Sequence, residues 1–143
     1  MRAKFVLYES IDFERGLEPK QALSLGRRAL IKKWFDDLGY GLEKYTINAD
    51  LSIKVKGSLD LRRTQIISLP DNLNVEGYLD LAGTKITSLP DNLNVEGSLW
   101  LNRTNITSLP DNLNVGGDLH LEGTKITSLP DNLSVGRTIY KNF

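Results

Sequence analysis

Cysteine is absent from this 143-residue chain, and histidine and methionine occur once each. No disulfide framework, thiolate nucleophile or cysteine-held metal is therefore available. One histidine among scattered carboxylates also falls short of the three or four ligands that a metal centre needs, so neither metal nor cofactor is expected. An excess of one charge is missing too: 18 basic residues face 18 acidic ones. Nucleic-acid binding depends on a basic surface that releases counterions, and this balance argues against it. Long apolar runs are lacking near the start, where Phe5-Val6-Leu7-Tyr8 spans only four residues. That is too short for a signal peptide or a membrane span. The expectation is a soluble, cytoplasmic protein with no membrane partner. Its length allows one compact unit, or a solenoid with one appended cap.

What the chain has instead is one phrase spoken four times. Residues 57–76 read GSLDLRRTQIISLPDNLNVE and residues 77–96 read GYLDLAGTKITSLPDNLNVE. Residues 97–116 read GSLWLNRTNITSLPDNLNVG and residues 117–136 read GDLHLEGTKITSLPDNLSVG. A fixed period of 20 residues marks a solenoid in which each repeat is one coil. In the second repeat the apolar positions are Leu79, Leu81, Ile86, Leu89, Leu93 and Val95. Leu79-x-Leu81 alternates with period two, the mark of a short strand with one buried face. A coil this small cannot bury enough on its own, so stability must come from stacked neighbours.

The pattern L-x-L-x-x-T-x-I-x-x-L-P-x-x-L resembles the leucine-rich repeat, most closely its short bacterial type. Two departures stand out. Thr64, Thr84, Thr104 and Thr124 replace the usual asparagine, and Glu76, Glu96 and Gly116 replace the first leucine. The resemblance implies an α+β repeat protein: a solenoid of short parallel strands with an N-terminal helical cap. A right-handed parallel β-helix stays open beside it. The alternation Leu93-x-Val95-x-Gly97-x-Leu99-x-Leu101 reads as one longer strand, which suits that alternative.

Outside the repeats, residues 1–45 are expected to form the cap and residues 46–143 the solenoid. Residues 4–8 suit a short strand or an apolar plug. Pro19 suits the first turn of a helix. Leu23, Leu30, Trp34 and Leu38 line one face, and Gly39 is placed to end it, which predicts a helix over 20–38. Arg27, Arg28, Lys32 and Lys33 on that helix sit beside Asp36 and Asp37, so they read as a solvated face. Residues 45–56 alternate and look like a degenerate coil. Residues 137–143 begin a fifth coil and stop. A homodimer through that last coil is one expectation, opposed by Lys141, since an edge lysine deters strand pairing. The phrases ESIDFERGLEP and YTINADLSI, followed by this solenoid, resemble small bacteriophage leucine-rich-repeat proteins. That resemblance implies a phage or bacterial setting, with host cytoplasm as the location, and supplies no functional residues.

Variation among the four repeats points to a surface. Between the two strand leucines stand Asp60, Asp80, Trp100 and His120, with Tyr140 next in register. Ser58, Tyr78, Ser98 and Asp118 precede them, and Arg62, Ala82, Asn102 and Glu122 follow. Equivalent residues of adjacent coils form a stripe with steps of about 4.8 Å. The leucine-rich-repeat resemblance implies that this stripe binds a partner. The candidate protein-binding residues are Asp60, Tyr78, Asp80, Trp100, Asn102, Asp118, His120 and Tyr140. Trp100 is the expected anchor, the other reading being aromatic packing that only stiffens the sheet. The function expected is a non-catalytic module for an as yet unidentified protein, a host or defence factor in a phage setting. The alternatives are a structural virion component and a hydrolytic enzyme using His120 and Asp118. The Asp71, Asp91, Asp111 and Asp131 row is read as structural, each Asp pairing with the Ser three residues earlier to cap a short helical turn.

Overall fold

The computed structural model describes residues 19–143, with side chains from Leu25 onward. The stretch 4–8, the polar stretch before Pro19 and the side chain of Leu23 lie outside the described residues. The chain divides into two compact units, one ending at Leu42 and the other spanning Glu43–Phe143.

The first unit carries helix α1, Pro19–Asp37. Gly39 ends it at φ 81°, a left-handed value that costs glycine nothing. The Tyr40 amide then donates to Phe35 O at 2.9 Å and the Gly39 amide to Asp36 O at 3.0 Å. These two bonds form a Schellman cap. The Tyr40 and Phe35 rings meet edge to face at 6.4 Å, supplying the apolar contact that accompanies such a cap. The expected face holds in part: Trp34 and Leu38 are half-buried, but the most buried residue is Phe35. Phe35 is fully buried and Ile31 half-buried, whereas Leu30 is 51% exposed. Trp34 is half-buried, its ring edge-on to Phe35 at 5.0 Å. Lys32 and Lys33 pair with Asp36 and Asp37 at 2.6 and 3.0 Å, one turn along the exposed face.

The second unit opens with a hairpin whose second strand joins the coils, so the degenerate coil expected over 45–56 is in register only in its second half. Strand β1 (Tyr45–Ile47) runs antiparallel to β2 (Ile53–Val55). Asp50 turns the chain between them, its Oδ1 accepting from the Ser52 amide at 3.0 Å and the Ser52 hydroxyl at 2.6 Å. From β2 onward every pairing is parallel and offset by 20 residues. Each coil contributes two strands: β3 (Leu59–Asp60) and β4 (Leu73–Val75), β5 (Leu79–Asp80) and β6 (Asn94–Val95). Then follow β7 (Leu99–Trp100) and β8 (Asn114–Val115), β9 (Leu119–His120) and β10 (Ser134–Val135), and finally β11 (Ile139–Tyr140). The first sheet has the order β1-β2-β4-β6-β8-β10 and the second β3-β5-β7-β9-β11. The unit is a β-solenoid of about four turns with parallel strands, and two ladders per coil suit the parallel β-helix description as well as the leucine-rich one.

The longer strand that the β-helix alternative left open through Leu93–Leu101 is broken at Gly97. Its amide donates to Gly77 O at 2.9 Å, and Gly117 repeats the bond to Gly97 O at 2.9 Å. A Cβ at Gly97 would lie 2.8 Å from the Gly77 carbonyl carbon and oxygen. The backbones touch here, so only glycine fits, and the chain bends from one sheet into the other.

Inward rows fill the space between the sheets: Leu73, Val75, Leu79, Leu81 and Ile86, with their equivalents one and two coils on, are all buried. Thr84 and Thr104 are buried too, each hydroxyl donating to the carbonyl three residues back, Leu81 O at 2.8 Å and Leu101 O at 2.7 Å. Threonine thus closes its own coil, while asparagine links coils. Asn94 Nδ2 donates to Asn74 Oδ1 at 2.9 Å and Asn114 Nδ2 to Asn94 Oδ1. The helical turn expected at Ser-Leu-Pro-Asp does not form among the described residues. Asn72, Asn92 and Asn112 turn the corner at φ 57°, 62° and 64°, a conformation asparagine tolerates better than most residues. One left-handed residue reverses the chain in less length than a helical turn, leaving both flanking leucines pointing inward.

Candidate functional site

The outer face of the second sheet gathers the varied residues. Parallel pairing places Asp60 beside Asp80, Asp80 beside Trp100, Trp100 beside His120, and His120 beside Tyr140. Asp60, Asp80, Trp100 and His120 each point outward because the leucines on either side point in.

The aromatic part is one stack. Trp100 and His120 lie 5.1 Å apart at 9°, and His120 and Tyr140 lie 4.5 Å apart at 5°. Tyr78 closes the lower end, its ring edge-on to Trp100 at 5.5 Å and 90°. The faces of Trp100 and His120 are turned to their neighbours, so the edges of these rings meet the outside. Tyr78 and Tyr140 remain 39% and 43% exposed. Offset and edge-on pairs of this kind contribute about 0.5–1.5 kcal/mol each. The stack therefore orders its own side chains before anything binds.

Below the aromatics the face is ionic. Arg62 grips Asp60 with Nε and Nη2 at 3.0 and 2.8 Å, and its Nε also lies 3.4 Å from Asp80. The Arg62 hydrogen bond holds the Asp60 carboxyl below its ordinary pKa. Asp80 behaves oppositely. Its side chain is 13% exposed, and desolvation raises its pKa against the opposing pull of the Ala82 amide and Arg62. The Ala82 amide donates to Asp80 Oδ1 at 3.0 Å.

Two candidate residues have structural bonds as well as outward positions. Asp118 Oδ1 accepts from the Thr138 amide at 3.0 Å, as Ser58 and Ser98 do from the amides of Tyr78 and Asp118. Asp118 therefore sits at the corner and serves the stacking of coils. His120 faces Glu122 instead, Nδ1 to Oε1 being 3.7 Å, so no hydrogen bond is recorded between His120 and Asp118. Asn102 Nδ2 donates to the same Glu122 at 2.6 Å, while its Oδ1 is buried without a hydrogen-bond partner.

Arg62 and Glu122 touch stripe residues and were left out of the candidate set. Their signal was available: each stands two residues after a stripe position, in the turn that follows its strand. Beside the ionic rung lies an open cleft of about 530 Å³, bounded by Asp60, Arg62, Arg63, Ala82, Gly83 and Arg103. Among the described residues no group of three or more His, Asp or Glu could hold a metal ion, and no helix is long and apolar enough to cross a membrane. No family model, characterised protein or solved structure matches the chain. The resemblance to leucine-rich repeats thus rests on the repeat pattern itself.

Proposed function

We propose that this protein is a non-catalytic protein-binding module whose contact surface is the outer face of the second sheet, from Asp60 to Tyr140. One observation carries the reading: this outward row changes chemistry at nearly every coil, Asp, Asp, Trp, His, Tyr, on a frame that otherwise repeats. Aromatic edges beside amides and charges match the composition of interface centres. Stacking holds Trp100 and His120 in place beforehand, which lowers the entropy lost when a partner docks. The phage-type resemblance makes a host or defence protein the partner class of this reading.

The test is capture of a partner from host lysate on the immobilised protein, repeated with Trp100→Ala. A protein retained by the native chain and lost from a variant that still unfolds cooperatively supports the module. Equal capture by both overturns the role of the stack. Turnover of a substrate that His120→Ala abolishes overturns the non-catalytic reading.

A further inference from the structure

The corner after each second-sheet strand holds one residue in the left-handed region, and its identity alternates along the stack. It is Arg63 at φ 56°, Gly83 at 72°, Arg103 at 58° and Gly123 at 76°. Glycine adopts this conformation freely, whereas arginine is strained there. The first three corners make the same bond. The amides of Arg63, Gly83 and Arg103 each donate to the carbonyl one residue back in the next coil, at 3.0–3.1 Å. Glycine at every corner would meet that demand without strain, so the fold does not call for the two arginines.

Their side chains are accommodated in a particular way. A Cβ added to Gly83 would sit 3.5 Å from Arg63 Cγ, and one added to Gly123 would sit 3.4 Å from Arg103 Cγ. Each arginine stem therefore lies over the glycine of the following coil. Arg63 and Arg103 reach the cleft from either side of Gly83, with Ala82 and Gly83 as a floor free of long side chains. Around this cleft three guanidinium groups stand against one carboxylate, Asp60. Asp60 and Asp80 are both taken up by Arg62. Among the described residues no ion pair within 4.0 Å is recorded for Arg63 or Arg103.

We infer that this cleft is an anion site that takes a phosphate monoester, with Arg63 and Arg103 as its ligands. Two unpaired guanidinium groups match the dianionic charge of a phosphate, and their planar forks suit its oxygens in pairs. The strained backbone positions are kept because they aim those forks across the floor. The site is separate from the aromatic stack and does not depend on the protein-binding reading.

The experiment is calorimetric titration of the full chain with inorganic phosphate, glycerol phosphate and a phosphoserine peptide, in low salt. Native protein is expected to bind phosphate, and Arg63→Gly and Arg103→Gly each to weaken it about tenfold or more. The same variants are expected to unfold at an equal or higher denaturant concentration, because glycine relieves the corner. Arg63→Lys keeps the charge and loses the fork, and falls between. Tighter binding of glycerol phosphate or of the peptide identifies a small metabolite or a modified protein as the source. Phosphate binding unchanged in the double glycine variant overturns the site. So does an absence of phosphate binding in the native chain, or a preference for a glutamate peptide over the phosphorylated one.

Discussion

The two sheets of the solenoid share one spacing and one set of coils, yet their outer faces are used differently. On the first sheet the outward row reads Lys54, Asn74, Asn94, Asn114, Ser134, and its asparagines hand one hydrogen bond from coil to coil. On the second it reads Asp60, Asp80, Trp100, His120, Tyr140. Identity along a row lets a side chain bond its own copy, which stabilises the stack. Variation along a row gives that up, and what replaces it is ring stacking and an Asp–Arg–Asp rung. The lesson is that repetition itself holds one face, while the other is free to carry chemistry.

The strongest way to break this comparison is to remove both faces at once. Gly97→Val is expected to cost the most, above about 3 kcal/mol, because its side chain meets the Gly77 backbone where the sheets join. Urea unfolding followed by circular dichroism checks it, and a midpoint near that of the native chain would sink the account of the corner. Next comes Asn94→Ala, which cuts the amide ladder above and below. A loss of about 1–2 kcal/mol is expected, with partner capture intact. Trp100→Ala breaks two ring contacts, so a comparable loss of about 1–3 kcal/mol is expected, together with loss of capture. If Asn94→Ala abolished capture instead, the division between the faces would be wrong.

The smallest effect sharpens the ionic rung. Desolvation raises the Asp80 pKa in the folded chain. Its ionisation therefore costs stability, a contribution that is favourable below the unfolded pKa and lost as pH rises through the folded one. Asp80→Asn removes that loss. The variant should gain on the native chain between about pH 3 and pH 7. Unfolding free energies across that window check the sign, and a variant that loses ground as pH rises would show that Arg62 outweighs burial.

How much of this was legible follows from what a period encodes. A repeat of 20 residues says which side chains share a row, so the buried leucines and the Asp60-to-Tyr140 stripe could be read directly. It does not say what lies between rows. The Gly77-to-Gly97 contact is a backbone approach, invisible in hydrophobic alternation, and so one longer strand stayed open where there are two. Asp118 looked like a partner for His120 on spacing alone, but its carboxylate serves an amide in the next coil. In helix α1 the apolar residues are too many for one stripe. Leu30 fitted the spacing and is exposed, whereas Phe35 is inside, with the rings of Trp34 and Tyr40 edge-on to it. Gly39 itself was readable, since its signal is local.

The parallel registers, each offset by one repeat length, have a consequence at the level of the gene. A coil meets its neighbours through the same donors and acceptors wherever it stands in the stack. Misaligned copying of the near-identical coding segments can therefore add or delete a whole coil, and the new junction is already complementary. Duplicating residues 77–96 would lengthen the asparagine row by one rung and slide the aromatic residues one step along, the added Asp80 copy facing Ala82 where the original faces Arg62. The size of the variable face is in this sense inherited in units. Its lineage can sample longer and shorter surfaces while each copy drifts separately in the handful of codons that specify its outward side chains.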